Sequence, residues 1–298
     1  MIGALIGSAS NGPLYSARLI ALIAMVIIYA IYDVFNKRDI PDAFAYVSVF
    51  IGAIFTLVLG LHTIEFSALV AIVVGALSYV LYRVGQLGLG DGFEFVAISL
   101  LIPIQPSPLL FGGQQFGMPF ILSVFVATGF TAIVFVPLYY ILKMNSKSRK
   151  EARSLIGSRE AAKAAILIVA YASLLLFVTY LFGFNPVAAA IISLIAVFSA
   201  LMALFEKGIM RQMIALIYPR ELEDGDIIAE DMMAVRDIAY FRKISPGFGR
   251  LVTPGIITKI ARVRRRIPVY KHAVPLAVPT LVGVGAALLF GNLLLYLV

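Results

Sequence analysis

Uncharged apolar stretches follow one another along most of the chain, separated by short polar segments. A hydrocarbon layer roughly 30 Å thick needs about 20 apolar residues per helical span, and a backbone inside that layer must bond to itself, which favours helices. The pattern therefore predicts an all-α, polytopic membrane bundle of about eight transmembrane helices. The predicted spans lie near 14–34, 43–61, 66–88, 92–110, 119–142, 163–182, 187–205 and 273–298.

Two of these spans have special features. The first begins near Leu14 and runs past the length of a secretory h-region, without a basic n-region or a small-residue cleavage site, so we expect a retained span. The fourth contains Pro103, Pro106 and Pro108, which predict a short or broken helix.

The spacing of spans and polar segments divides the chain into five parts. The predicted parts are a membrane core at 1–142 with spans one to five, which also holds the candidate chemistry described below, a basic cytoplasmic loop at 143–162, two additional membrane helices at 163–205, a cytoplasmic segment at 206–272 and a last membrane helix at 273–298. Within the cytoplasmic segment, Asp224-Gly225 predicts a turn and Ser245-Pro246-Gly247 a break.

The cytoplasmic segment is short for a domain, so we expect it to bury little core alone and to lie against the membrane or other loops. Its residues 256–267 have apolar side chains at helical spacing on one face and basic side chains on another. Such a face is typical of an amphipathic helix on an anionic lipid surface, and equally of ordinary juxtamembrane positive charge. The apolar face comprises Ile256, Ile260, Val263 and Ile267, and the basic face Lys259, Arg262 and Arg266.

Composition agrees with the membrane interpretation. The chain is 61% hydrophobic and only 13% charged, whereas ordinary soluble domains carry about a quarter charged residues. Of its 24 Lys and Arg residues, only Arg18 falls on the side of the membrane opposite the basic loops. By the positive-inside rule, both termini face outward and the basic loops are cytoplasmic. Topology thus explains the net charge of +8, and no nucleic acid partner is expected.

Cysteine and histidine usage restricts the possible chemistry. The chain has no cysteine, which excludes disulfides, thiolate nucleophiles and cysteine metal sites. Its two histidines, His62 and His272, lack metal-ligand spacing. We therefore expect neither a metal nor a cofactor.

Two acids lie where apolar stretches meet the cytoplasmic face, and ionisable groups at membrane depth generally mark function. Asp33 ends the first span and Asp91 begins the fourth, so the topology places both at the same depth. We interpret Asp39, Asp42 and Glu94 as solvated acids near or beyond the boundary, which could attract a basic partner.

Glycines surround the second acid, at Gly88, Gly90 and Gly92. Glycine adopts backbone conformations forbidden to other residues and lets another chain approach closely, which a protease needs because its substrate is held extended. The alternative interpretation is that Asp91 simply caps the start of a helix.

The sequence resembles the GxGD family of intramembrane aspartyl proteases and, within it, the archaeal prepilin and preflagellin peptidases. The resemblance rests on Gly88-Leu89-Gly90-Asp91, on Asp33 at the end of the first helix, and on the segment from Asp33 to Ile40-Pro41 with its basic residue. Val252-Thr253-Pro254-Gly255 also resembles archaeal members. The chain departs from the family at Phe93-Glu94-Phe95, where members often have a lysine, and in the two additional helices.

The resemblance implies an aspartic-type endopeptidase without a cofactor. It would remove the short basic leader of pilin-like or archaellin-like precursors at the cytoplasmic face, with membrane lipid as its surroundings. Asp33 and Asp91 would be catalytic, and the implied supporting or substrate-binding residues are Gly88, Gly90, Gly92, Tyr32 and Arg38.

Two alternatives stay open. Tyr32-Asp33 and Gly-Leu-Gly-Asp also match the presenilin and signal peptide peptidase branch, but that branch has several helices before its first aspartate and a Pro-Ala-Leu motif, for which this chain offers only 275–279. A proton- or cation-coupled transporter could use the same acids. It would be expected to place them near the bilayer midplane within symmetric halves, and the sequence shows no repeat.

Overall fold

The structure, a computed structural model, is built almost wholly of helices. It describes residues 14–36, 40–58, 61–84, 86–110, 118–144, 154, 156–270 and 276–296. We label the helices α1 to α10 in chain order: Tyr15–Phe35, Asp42–Leu57, Leu61–Arg83, Leu89–Leu101, Phe120–Lys143, Ser158–Phe182, Pro186–Met213, Val235–Ile244, Pro254–Ile260 and Ala277–Phe290. Two short strands, β1 and β2, lie at Ala215–Ile217 and Ile267–Val269.

Five helices within the described residues are long and apolar enough to cross a membrane, namely α1, α5, α6, α7 and residues Ile64–Arg83 of α3. The apolar helices α2 and α10 have 16 and 14 residues and α4 has 13, which is shorter than a full span. The predicted all-α polytopic bundle is confirmed. That all eight helices cross the bilayer stays a prediction.

The proline-containing fourth span is short. α4 ends at Leu101, because Ile102 precedes Pro103 and a residue before proline disfavours the helical conformation. The chain continues extended, with Ile104 bridged to Pro119 and the backbone N–H of Gln105 donating to the Met118 carbonyl at 3.0 Å. These bonds replace those that the helix would have made.

The main core lies between α1, α4, α5 and α10. Leu22, Val26, Ile98, Val124 and Val284 are buried there. α2 and α3 both pack on α4, and eight of the 13 residues of α4 are buried, so this short helix lies inside the bundle.

The two additional helices form a hairpin beside this core. α6 packs on α7, and α7 packs on α5. Two ion pairs, Lys163 with Glu206 and Lys207 with Glu160, join the ends of α6 and α7 that lie towards the basic loops.

Residues 215–270 fold around a core of their own, contrary to the expectation that this segment is too short to bury one. β1 pairs antiparallel with β2, so that Ala215 lies opposite Val269. Because the two strands come from opposite ends of the segment, their pairing closes it into a compact unit, which we call the polar unit. Its buried side chains include Leu222, Ile228, Phe241, Phe248, Val252, Ile256, Ile260 and Ile267. The predicted turn at Asp224-Gly225 and break after Ile244 are both present.

The prediction of an amphipathic helix over 256–267 is wrong. α9 ends at Ile260, and Ile267 belongs to β2. Ile256, Ile260 and Ile267 are buried in the core of the polar unit. The helical spacing of these side chains therefore reflects a protein core and not a lipid-facing surface.

Candidate active site

Asp33 and Asp91 lie at the same end of the bundle, near each other. Asp33 is in the last turn of α1 and Asp91 in the first turn of α4, and α1 packs against α4. The two carboxyls are close enough for their charges to repel each other. Asp33 is only 6% exposed, whereas Asp91 is partly exposed. The antiparallel arrangement of spans thus brings together two acids that are far apart in sequence.

The first turn of the last helix holds Asp33. The backbone N–H of Ala277 donates to Oδ2 of Asp33 at 2.9 Å. The first N–H groups of a helix have no partner within the helix, and their partial positive charge attracts a carboxylate. α10 therefore orients one acid of the pair, which no local sequence pattern indicated.

Asp91 also has a structural role at the start of its own helix. Its Oδ2 accepts a hydrogen bond from the backbone N–H of Gly88 at 3.2 Å, and Gly88 is the N-cap residue. The alternative interpretation of Asp91 as a cap is therefore correct as far as local structure goes. Since the bond engages one carboxylate oxygen, capping is compatible with chemistry at the other.

Two of the glycines around Asp91 permit close packing, and none of the three has a positive φ angle. Among the described glycines, positive φ occurs at Gly183, Gly225 and Gly291. The expectation that the glycines at 88–92 adopt backbone conformations forbidden to other residues is therefore wrong. A Cβ added to Gly90 would lie 2.9 Å from Cδ1 of Ile40, and one added to Gly92 would lie 2.9 Å from Cβ of Ser78. Both distances are too short for a real side chain.

The two remaining predicted site residues differ in what the structure says of them. Tyr32 packs its ring against Phe44 at the start of α2, with 5.5 Å between ring centroids. Arg38 lies outside the described residues. The Ile40-Pro41 pair that carries part of the family resemblance lies directly before α2, and Ile40 covers Gly90.

The interpretation of Glu94 as a solvated acid is wrong. Its side chain is 0% exposed, and neither carboxylate oxygen has a hydrogen-bond partner in the part of the protein that the structure describes. Glu94 lies one turn after Asp91 on the same side of α4, and it is close enough to interact electrostatically with Asp91 and Asp33. The site therefore contains a third carboxyl, shielded by the helices that surround α4.

Tyr29 is a site residue that sequence reasoning missed. It is fully buried one turn before Asp33, and its hydroxyl lies 2.9 Å from Oγ of Ser48 in α2. It is also near Asp91 and Glu94. Its spacing of four residues from Asp33, which places both on one helix face, is the signal that could have identified it.

Within the described residues, no group of three His, Cys, Asp or Glu side chains is arranged to hold a metal ion. What the arrangement offers is a pair of closely spaced carboxyls, one nearly buried and one accessible.

A bundle of apolar helices of spanning length defines a polytopic membrane protein, and two acids lie near each other at one end of its core. The sequence profile of the type IV leader peptidase family matches residues 20–137, a region that runs from α1 into α5 and contains both Asp33 and Asp91. The match covers about two fifths of the chain and confirms the predicted resemblance to the prepilin peptidase family, whereas the archaeal branch within it stays a prediction. The α6–α7 hairpin and the polar unit lie outside the match. Comparisons with curated proteins and with solved structures found no match.

Proposed function

We propose that the protein is an intramembrane aspartyl endopeptidase whose catalytic pair is Asp33 and Asp91. The observation that carries the proposal is the proximity of these two acids at one end of the core, on packed helices within the region that matches a peptidase family. Proteolysis by two carboxyls needs this proximity, because one proton must be shared between them.

The chemistry follows from the closeness of the two groups. Two carboxyls in a poorly hydrated site do not both ionise cheaply, so the pair holds one proton as a unit. The ionised member deprotonates a water molecule, whose oxygen attacks the scissile carbonyl carbon. The protonated member donates a hydrogen bond to the carbonyl oxygen, the division of labour used by aspartic proteases. When the tetrahedral intermediate collapses, the C–N bond breaks and the proton taken from water passes to the leaving nitrogen, so the pair again holds one proton.

The neighbouring elements keep the two acids in place for this reaction. The Ala277 N–H fixes the orientation of Asp33, and the Gly88 N–H that of Asp91. Asp91 is partly exposed, which leaves an approach for an extended peptide. Glu94 is fully covered, so it does not contact substrate and stands outside the catalytic pair.

The proposed substrates are pilin-like or archaellin-like precursors, cut between a short basic leader and the hydrophobic helix that follows it. The match of residues 20–137 to the type IV leader peptidase family supports a leader peptide as substrate. Asp42, exposed at the start of α2 near the site, supplies a negative charge that favours a basic leader. By the distribution of Lys and Arg, we place this end of the bundle at the cytoplasmic face.

Cleavage of a precursor by the purified full-length protein tests the proposal. A precursor with a basic leader is incubated with wild type, with Asp33→Asn and with Asp91→Asn, and the products are identified by mass spectrometry. We expect wild type to release the leader and both single variants to release none, because neither retains a second carboxyl that can share the proton.

Glu94→Gln is the matched control, since it removes a carboxyl from the same cluster. We expect it to keep cleavage within about one order of magnitude of wild type, or about 1.4 kcal/mol in activation free energy. Cleavage by both Asp variants would rule out the pair. If Glu94→Gln lost cleavage and one Asp variant retained it, the catalytic pair would consist of Glu94 and the other aspartate. A transporter would show no cleavage in any of the four proteins.

A further inference from the structure

A basic cavity lies where α7 leaves the bundle and meets the polar unit. Its volume is about 510 Å³. Its lining combines three arginines and an aspartate with exposed apolar side chains. The lining residues of interest are Arg211, Arg265, Arg266, Asp237, Leu216 and Met232.

Of the three guanidinium groups, one forms an ion pair with a carboxylate of the described residues. Arg265 forms an ion pair with Asp237 at 2.7 Å. Arg266 stacks over the ring of Tyr218, with 5.1 Å to the centroid. Neither Arg211 nor Arg266 pairs with a carboxylate among the residues that the structure describes. The cavity therefore has more positive charge than its single acid offsets.

The depth of the cavity follows from the length and composition of α7. This helix has 28 residues, and its first ionisable side chain is Glu206. The 20 residues before Glu206 are enough to cross a hydrocarbon layer of roughly 30 Å at about 1.5 Å per residue. Arg211 then lies about 8 Å beyond the hydrocarbon boundary, which is near the outer margin of the polar headgroup layer.

The ends of α6 and α7 support this position of the boundary. Lys163 pairs with Glu206 and Lys207 with Glu160, so four ionised side chains occupy the same level of the hairpin. Charged groups concentrate at this level because the hydrocarbon would exclude them. The cavity opens just beyond it.

We propose that this cavity binds the phosphate headgroup of an anionic phospholipid from the adjacent leaflet. Arg211 and Arg266 supply the donors for the phosphate oxygens, since guanidinium matches phosphate with two parallel hydrogen bonds. Leu216 and Met232, which are 61% and 49% exposed, offer an apolar surface to the glycerol and the first methylenes of the chains. The bound lipid holds the polar unit against the membrane.

The apolar half of the lining favours a lipid over a free anion. A free phosphate is wholly hydrated and gains nothing from Leu216 or Met232, whereas a lipid buries these side chains while its phosphate faces the arginines. The position at headgroup depth also favours a lipid, because the local concentration of headgroups there is high.

Native mass spectrometry of the full chain in detergent tests the inference. Phosphatidylglycerol and phosphatidylcholine are titrated separately into wild type, the Arg211→Gln/Arg266→Gln double variant and the Arg211→Gln single variant. We expect wild type to prefer phosphatidylglycerol, and the double variant to bind it at least about tenfold more weakly, because each lost charge-assisted bond is worth more than an ordinary one. The single variant breaks no ion pair or ring contact, and we expect its affinity for phosphatidylglycerol to be lower than that of wild type as well.

The matched control is Lys259→Gln/Arg262→Gln, which removes the same charge from exposed positions of the polar unit outside the cavity. We expect its phosphatidylglycerol affinity to stay within about twofold of wild type, as screened surface charges contribute little. Equal losses in the two double variants, or unchanged binding in Arg211→Gln, would overturn the proposal. So would displacement of the lipid by inorganic phosphate, which would show a site for free anions. Should the double variant fail to fold by thermal unfolding, the single variant decides.

Discussion

At the scale of single residues, the site contains three carboxyls in three different surroundings. Asp33 is nearly buried and accepts a hydrogen bond from a helix N–H. Asp91 caps its own helix and remains partly exposed. Glu94 is fully buried without a hydrogen-bond partner among the described residues. Only the first two have a hydrogen bond from the backbone, and of these Asp91 offers an approach for substrate. The surroundings of each group, and not its residue type, therefore separate the proposed catalytic acids from the third.

Replacing Glu94 by glutamine tests whether its carboxyl lacks a partner. We expect Glu94→Gln to melt at the same temperature as wild type or higher, because the amide has nearly the same shape, loses no hydrogen bond and cannot ionise. Thermal unfolding of the purified protein in detergent provides the measurement.

Thr56→Val is the matched control for that experiment, as it also replaces a buried polar side chain by one of similar shape. The Thr56 hydroxyl contacts the carbonyls of Gly52 and Leu100 at 3.0 and 2.9 Å. We expect this variant to lose about 1 kcal/mol of stability. A comparable loss in Glu94→Gln would mean that Glu94 is hydrogen-bonded after all.

At the scale of elements, α4 depends on small residues for its place between α2 and α3. Gly52 of α2 lies against Leu100, and Ser78 of α3 lies against Gly92. Small residues at such contacts let helices in a bilayer approach closely, which strengthens van der Waals packing and interhelical hydrogen bonds. Because Asp91 precedes Gly92, this spacing also sets the position of the acid.

A methyl group at Gly92 should push α3 and α4 apart. Its carbon would lie 2.9 Å from Cβ of Ser78, and we expect Gly92→Ala to cost about 1–3 kcal/mol of stability through overpacking. Adding Ser78→Gly should recover much of the loss, because it removes the opposing carbon while exchanging one helical glycine for another. The measurements are the midpoint of thermal unfolding in detergent and the rate of precursor cleavage, for wild type and both variants.

Gly129→Ala is the matched control in α5, where an added Cβ meets no atom within 4 Å. This variant should be neutral or gain up to about 1 kcal/mol from the better helix propensity of alanine. An equal loss in Gly92→Ala and Gly129→Ala, or no recovery in the double variant, would contradict close packing as the role of Gly92.

At the scale of the whole molecule, the last helix joins the polar unit to the proposed catalytic pair. β2 of the polar unit is followed after a short segment by α10, whose first N–H holds Asp33. α10 also packs along α5 and α1. The chain outside the matched family region therefore contributes directly to the geometry of the site.

The orientation of the molecule is open to a direct experiment, since the chain has no cysteine to give background labelling. Lys243→Cys places a thiol on the polar unit, and Phe184→Cys places one in the turn between α6 and α7, at the other end of the hairpin. With a membrane-impermeant maleimide, we expect Phe184→Cys to react in intact cells and Lys243→Cys only after the membrane is opened. The reverse pattern would invert the proposed topology.

The sequence by itself determined where the apolar helices lie, and it predicted that Asp33 and Asp91 belong to the same end of the bundle. Apolar runs must match the thickness of the bilayer, and alternate basic loops indicate the side on which each run ends, so no tertiary information is needed for either. The same local logic indicated Asp33 and Asp91 as candidates. It related the neighbouring glycines to the approach of a substrate, and not to the packing of Gly90 against Ile40 and of Gly92 against Ser78 that the structure has. It also indicated that the prolines after α4 would shorten that helix.

Only the tertiary structure decided which side chains around the acids are covered and what holds them. Lipid-facing and core-facing positions are both apolar in a membrane protein, so hydropathy cannot tell that Glu94 is enclosed or that Tyr29 faces the site. The bond from Ala277 to Asp33 and the core of the polar unit join distant parts of the chain. Contacts of this kind depend on how helices and strands pack, which a local pattern of residues does not specify.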